Sequence, residues 1–158
     1  MKKLILVGLC AIVTILNANA QEELERTTPE FEVKVITSVE SIVPLGLGRS
    51  RLISANVERD YKEFSSEQTE EDNTRNKSKR KDIRVKDFEE TKLLNFYNVG
   101  GIRFQNIAAN DAVISSKLTS MLADGWDLIF VTSAVESDAG ETDEQGIFIT
   151  RYIFKRQL

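Results

Sequence analysis

The sequence predicts an α+β fold: one antiparallel or mixed sheet of four to six strands with one main amphipathic helix packed across it. Three observations carry that expectation. Alternation with a period of two recurs in short segments at both ends of the chain, and one stretch near residues 110–124 has helical spacing. Between them, Gly125-Trp126 marks the point where a helical pattern stops and a strand pattern begins.

The first twenty residues stand apart from the fold. Lys2 and Lys3 make a basic start, Leu4 to Leu16 is an apolar run broken by Gly8 and Thr14, and Asn17-Ala18-Asn19-Ala20 ends it with small residues. This is the pattern of a secretory leader cleaved between Ala20 and Gln21. Its apolar run, about 13 residues, is shorter than the roughly 20 that a spanning helix takes. The expectation is an exported chain, periplasmic or secreted, with no membrane span after cleavage. Residues 21–30 then form a flexible N-terminus and 31–158 a single domain.

Composition removes several kinds of chemistry. Cys10 lies inside the apolar run, not after it, so it is not placed to become a lipid anchor. Beyond it the chain has no cysteine, and it has no histidine anywhere. Disulfides, thiol nucleophiles, Cys/His metal sites and Ser-His-Asp triads are therefore not expected, and no cofactor is implied. Loss of Lys2 and Lys3 takes the formal charge from −4 to −6. That balance argues against a nucleic-acid partner, which needs Lys and Arg against phosphate.

The elements follow in order. Phe31 to Val39 alternates, with Phe31, Val33, Val35, Thr37 and Val39 on one side, and predicts a half-buried strand. Pro44, Gly46 and Gly48 break it, and a second strand is expected over Ser50–Val57. From Glu58 to Glu90 acidic residues give way to basic ones, with few apolar residues between Phe64 and Ile83. Such a stretch buries too little to offset its ordering entropy, so about 65–81 reads as a mobile charged insertion or a projecting hairpin. Thr91–Tyr97 and Ile102–Ile107, around Gly100-Gly101, read as a hairpin.

Asn110 or Asp111 is placed to cap the helix, whose stripe is Ile114, Leu118, Met121 and Leu122. Gly125 ends it where a left-handed residue is favoured. Asp127–Val135 is almost continuously apolar and β-branched, the pattern of a central strand covered on both faces. Glu136–Gln145 is a polar connection. Ile147–Lys155 closes the fold, with Phe148, Thr150, Tyr152 and Phe154 sharing one face.

An amphipathic helix, then Asp124-Gly125-Trp126-Asp127-Leu128-Ile129-Phe130-Val131, then a last strand ending Tyr152-Ile153-Phe154-Lys155-Arg156 resembles a small uncharacterised bacterial domain family. Its members carry a Gly-Trp-Glu-Leu-Val motif, open with a Tyr/Phe-x-Val-Val strand and close on Lys-Arg. Here Phe31–Ile36 corresponds to the opening strand. Asp127 stands where the family has Glu, and a large insertion separates that strand from the helix. The resemblance implies the fold and supplies no activity, cofactor or site.

Four places invite a functional reading. Gly46-Leu47-Gly48-Arg49-Ser50-Arg51 can converge backbone N–H groups and two guanidiniums on a small anion, with Arg49, Ser50 and Arg51 as the binding residues. The same loop can equally be a turn whose arginines pair with nearby carboxylates. Glu136, Asp138, Glu141, Asp143 and Glu144 crowd one loop with oxygens for a hard cation, though without the spacing of a calcium loop. Lys77–Lys81 is a basic run compensated by Glu67–Asp72. Trp126, Tyr97 and Tyr152 suit an aromatic platform or, for Trp126, a packing wedge at the helix-to-sheet junction. Ser115, Ser116 and Ser120 lack a base. The expectation is an exported, non-enzymatic binding or assembly module of the cell envelope, with another envelope protein as partner and its oligomeric state left open. An anion or ion binder using the 46–51 or 136–144 loop is the alternative. An enzyme working with carboxylates alone is the third reading.

Overall fold

Eleven alternating residues, Phe31–Ser41, form β1, which lies at the centre of a five-stranded sheet. The computed structural model describes residues 30–42, 50–98, 100–136 and 146–158. β2 is Arg51–Ala55 and β3 is Phe88–Lys92; a two-stranded ribbon, β4 (Tyr97–Asn98) and β5 (Gly101–Ile102), stands apart from the sheet. β6 is Asp127–Glu136 and β7 is Ile147–Gln157. The sheet order is β3-β2-β1-β7-β6.

Its pairs run antiparallel. Ile36 faces Ser54 and Val39 faces Arg51 between β1 and β2; Leu52 faces Thr91 between β2 and β3; Phe130 faces Ile153 between β6 and β7. Hydrogen bonds from Ile42 N to the Gly146 carbonyl and from Leu158 N to the Glu30 carbonyl, each 3.1 Å, bracket β1 and β7 in the same sense. A bulge between Leu128 and Phe130 shifts the β6 register by one.

The main helix, α2, runs from Phe104 to Ala123, preceded by a single helical turn, α1, at Arg80–Ile83. Gly125, at φ 81°, ends α2 with paired bonds from Gly125 N to the Leu122 carbonyl and Trp126 N to the Met121 carbonyl, both 3.1 Å. This is a Schellman closure, and its usual apolar contact is supplied by Trp126 and Met121, both in the core. The core joins Ile36, Leu52, Leu93, Ile114, Met121, Trp126 and Phe154, with Val113, Leu118 and Tyr152 packed against it. The α+β fold and its single main helix are as expected.

Several details differ from the expectation. α2 starts six residues before Asn110, because Asn110 points into the protein and bonds a neighbouring segment instead of capping. Leu122 ends 54% exposed although Met121 beside it is 4% exposed, because it lies off the helix stripe of Asn110, Ile114 and Met121. The strand expected at 91–97 lies earlier, at Phe88–Lys92; Leu93 N still bonds the Ser50 carbonyl at 3.2 Å, and Leu94 and Asn95 turn to meet α2. Two differences are larger. In β1 the buried side is Ile36, Ser38 and Glu40, while Val33 and Val35 are exposed. β6, expected at the centre, is an edge strand exposed at every residue.

Residues 58–87 form an exposed excursion between β2 and β3, closed at its base by Asn56 N to the Asp87 carbonyl (3.2 Å). Asn76 Nδ2 bonds the carbonyls of Glu63 and Ser65, at 2.9 and 3.0 Å, drawing its two limbs together. The chain divides into two compact units, one of residues 33–155 and one of residues 1–32 with 156–158. In the described part of the second, the Arg156 guanidinium pairs with the Glu32 carboxylate.

Candidate functional site

Register assigns every strand residue to one of two sheet faces. Ile36, Ser38 and Glu40 share the α2 side with Leu52, Ser54, Thr91, Thr150 and Phe154. This covered face is largely polar. Asn110, 1% exposed, resolves much of that polarity: its Oδ1 accepts from Leu94 N–H and its Nδ2 donates to the Leu94 carbonyl, both at 2.8 Å, and to Glu40 Oε2 at 2.7 Å. It thereby stands in for a neighbouring strand along residues that have left the sheet. Beside it the Ser50 hydroxyl donates to Asn95 Oδ1 (2.8 Å) and accepts from Ser41 N–H (2.9 Å).

Burial pushes the Glu40 carboxyl above its ordinary value; the Asn110 bond opposes this and the nearby Asp111 charge adds to it. Burial also raises the Tyr152 phenol, against the lowering influence of the Ser38 hydroxyl, with Glu40 and Asp111 reinforcing the rise. Despite that proximity, Ser38 Oγ lies outside hydrogen-bond geometry, as do the hydroxyls of Ser41 and Ser54. The cluster is a bonded frame for the helix-to-sheet junction. Its carboxylate is held by the Asn110 amide.

The opposite face carries an apolar band flanked by polar and charged residues, Thr37, Arg51, Glu90, Lys92 and Thr132 among them. Phe130 lies opposite Ile153 on β7, and Ala55 opposite Phe88 on β3. With Val35 between them, these residues form an apolar row across all five strands. Val33, Val39, Ala134 and Ile149 extend it along the strands. Phe130 is 60% exposed, Val33 53% and Phe88 46%. No described element packs on this face. Contiguous apolar surface of this kind on a folded domain marks a binding site or an aggregation hazard. Arg151 is exposed near its middle, opposite Thr132, with no ion pair or hydrogen bond among the described residues.

The two sheet edges also differ. β3 carries Glu89, Glu90 and Lys92, with Glu90 bound to Arg51 Nε at 2.6 Å and Glu89 bound to Lys117 Nζ at 2.8 Å. Such charges discourage strand addition. β6 has acids at its ends, Asp127 and Glu136, and no charge between them.

The residues singled out in the sequence are dispersed. Ser50 is buried in the bonded frame, and Arg51 is engaged by Glu90 and by the Ser50 carbonyl (2.8 Å). Arg49 and residues 43–49, and the acidic loop at 137–145, lie outside the described residues. Lys77–Lys81 is exposed within the excursion. Trp126 is in the core, Tyr152 is half-buried on the covered face and Tyr97 belongs to the β4–β5 ribbon, so the three form no platform. Ser116 and Ser120 border an open groove of about 470 Å³ between α2 and β3, beside Glu89, Thr91 and Lys117. Both Glu89 oxygens are taken up by the Lys117 ammonium there, at 3.0 and 2.8 Å.

Among the described residues no group of three or more His, Cys, Asp or Glu is placed to hold a metal, and no helix is long and apolar enough to cross a membrane. Searches against family models, curated proteins and solved structures each return no match. The surface that sequence reasoning missed, Phe130 with Val35, Ile153 and Arg151, did have a signal. β6 and β7 carry apolar residues on both sides and β1 mostly on one, more than one helix on one face can cover.

Proposed function

We propose that this chain is an exported, non-enzymatic binding or assembly module of the cell envelope, and that it engages its partner through the uncovered sheet face. The observation that carries this reading is the apolar row Phe130–Ile153–Val35–Ala55–Phe88 left in solvent beside a charged, protected edge at β3. Burying such a face contributes about 25 cal/mol for each Å² of apolar surface removed from water. The leader pattern in residues 1–20 supports export. The Asn110 amide, bonded to Glu40 and to both backbone groups of Leu94, supports a passive scaffold, because those groups are engaged in holding α2 to the sheet.

The test is site-specific photo-crosslinking in the native host, with the reactive group at Phe130 on the open face or at Thr119 on the outer side of α2. Discrete adducts from position 130 and none from 119 are the expected result. Equal labelling at both positions, or no adduct at either, overturns the reading.

A further inference from the structure

We propose that the occupant of the open face is a second copy of this chain, packed face to face about a two-fold axis. The inference rests on the binding-module reading and names its partner. A flat, twisted, apolar sheet face is best matched by another such face, since two sheets interdigitate their inner side chains about 10 Å apart. A closed two-fold pair uses one patch twice and leaves nothing to polymerise. The area fits: five strands at about 4.8 Å spacing and about 20–30 Å of strand length give roughly 600 Å² in projection. Side-chain relief brings this toward the roughly 800 Å² that each partner of a standard interface contributes.

Charge selects the arrangement. An entirely apolar partner would bury the Arg151 guanidinium uncompensated. The face carries its own complement in Asp127, opposite Lys155 at the far end of β6, exposed and in no ion pair among the described residues. Within one copy Arg151 and Asp127 are four residues along and one strand across, about 14 Å apart, too far to pair. A two-fold axis in the interface plane, midway between them, superposes each on the other's counterpart. That midpoint falls between Phe130 and Ile153, at the β6 end of the apolar row, and the axis runs across the strands along that row. The same axis crosses the strands of the two sheets at about 40°, close to the roughly 30° at which twisted sheets pack. Each Asp127 then lies between its own Lys155 and Arg151 of the second copy, and the bond forms twice.

The experiment is sedimentation equilibrium of the purified chain over a range of concentrations, with Arg151→Asp, Asp127→Arg, the double exchange, and Phe130→Lys. The expected result is a dimer of the unaltered chain at micromolar concentration. Each single exchange should weaken it at least about tenfold, since each juxtaposes like charges, and the double exchange should restore it. Phe130→Lys should be monomeric. All three positions are exposed, and a cooperative melting transition in each variant separates lost association from lost fold. A monomeric parent chain at tens of micromolar overturns the proposal, as does a dimer indifferent to the charge exchanges. A monomer that still gives adducts from position 130 in the host overturns this pairing and leaves the binding-module reading standing.

Discussion

The two faces of the sheet invert the usual distribution. The face beneath α2 carries Ser38, Glu40, Ser54 and Thr150 and is buried, while the face carrying Val33, Val35, Phe130 and Ile153 meets solvent. Local hydrophobicity alone would cover the second. What decides the matter is where the helix can anchor: Trp126 at its C-terminal end and Asn110 in its second turn fix α2 to one side. Once Asn110 has bonded Leu94 and Glu40, the amide and the carboxyl of that side are answered, while the buried hydroxyls of Ser38 and Ser54 have no partner among the described residues. The apolar side is left with no covering element from the described chain. A fold built this way keeps its own stability and its association on opposite sides of one sheet.

The largest test of that separation is Trp126→Ala. The ring is 7% exposed at the corner where α2 closes and β6 starts, so truncation should lower stability by about 3–5 kcal/mol in denaturant unfolding. A loss below about 1 kcal/mol would mean that the covered face is not the anchored one. Asn110→Ala comes next. It leaves Leu94 N–H, the Leu94 carbonyl and Glu40 without their partner, at about 1–3 kcal/mol for each buried unsatisfied group. A total near 3 kcal/mol is expected, tempered by solvent reaching Leu94. An apolar replacement of the same branching, Asn110→Leu, should do no better, because the cost lies in the groups left behind.

These two residues show how far the sequence was legible. The Gly125-Trp126 corner could be read because its chemistry is local: a left-handed glycine, a stopped apolar stripe and an adjacent aromatic ring. Ile114, Met121 and Phe154 followed from periodicity for the same reason. Asn110 could not be read correctly, since its short polar side chain suits a helix cap, and its partners at Leu94 and Glu40 are distant in sequence. β6 failed for a related reason. A run apolar on both sides has the pattern of a central strand, and strand order is set by pairing between distant segments. The open face was therefore hidden, although the excess of two-sided apolar strands over helices to cover them was visible.

A smaller effect probes the polarity of the covered face. Glu40→Gln keeps the acceptor for Asn110 Nδ2 and removes the buried charge. The folded protein holds the Glu40 carboxyl above its ordinary 4.5, so it favours the protonated form. The contribution of this group to stability is full below the unfolded value and declines as pH rises through the folded one. Glu40→Gln should thus be more stable than the parent at pH 7, by about 1 kcal/mol or a few degrees in Tm. The advantage should vanish below pH 4. An advantage that persisted in acid would mean that packing, not charge, accounts for it.

The smallest expected change in fold stability is on the opposite face, and it separates the two roles most sharply. Phe130 is as large as any core residue but Trp126, yet 60% of it is exposed, so Phe130→Ser removes little that folding had buried. In the dissociated chain its effect on unfolding should stay within about 0.5 kcal/mol, as for other surface changes. Association alters the measurement by mass action: a dimer raises the apparent Tm with concentration, and the variant should lose that dependence. The parent and Phe130→Ser should therefore melt together when dilute and diverge as concentration rises. Equal divergence at all dilutions would show that the ring supports the fold itself, and the division of labour between the two faces would fail.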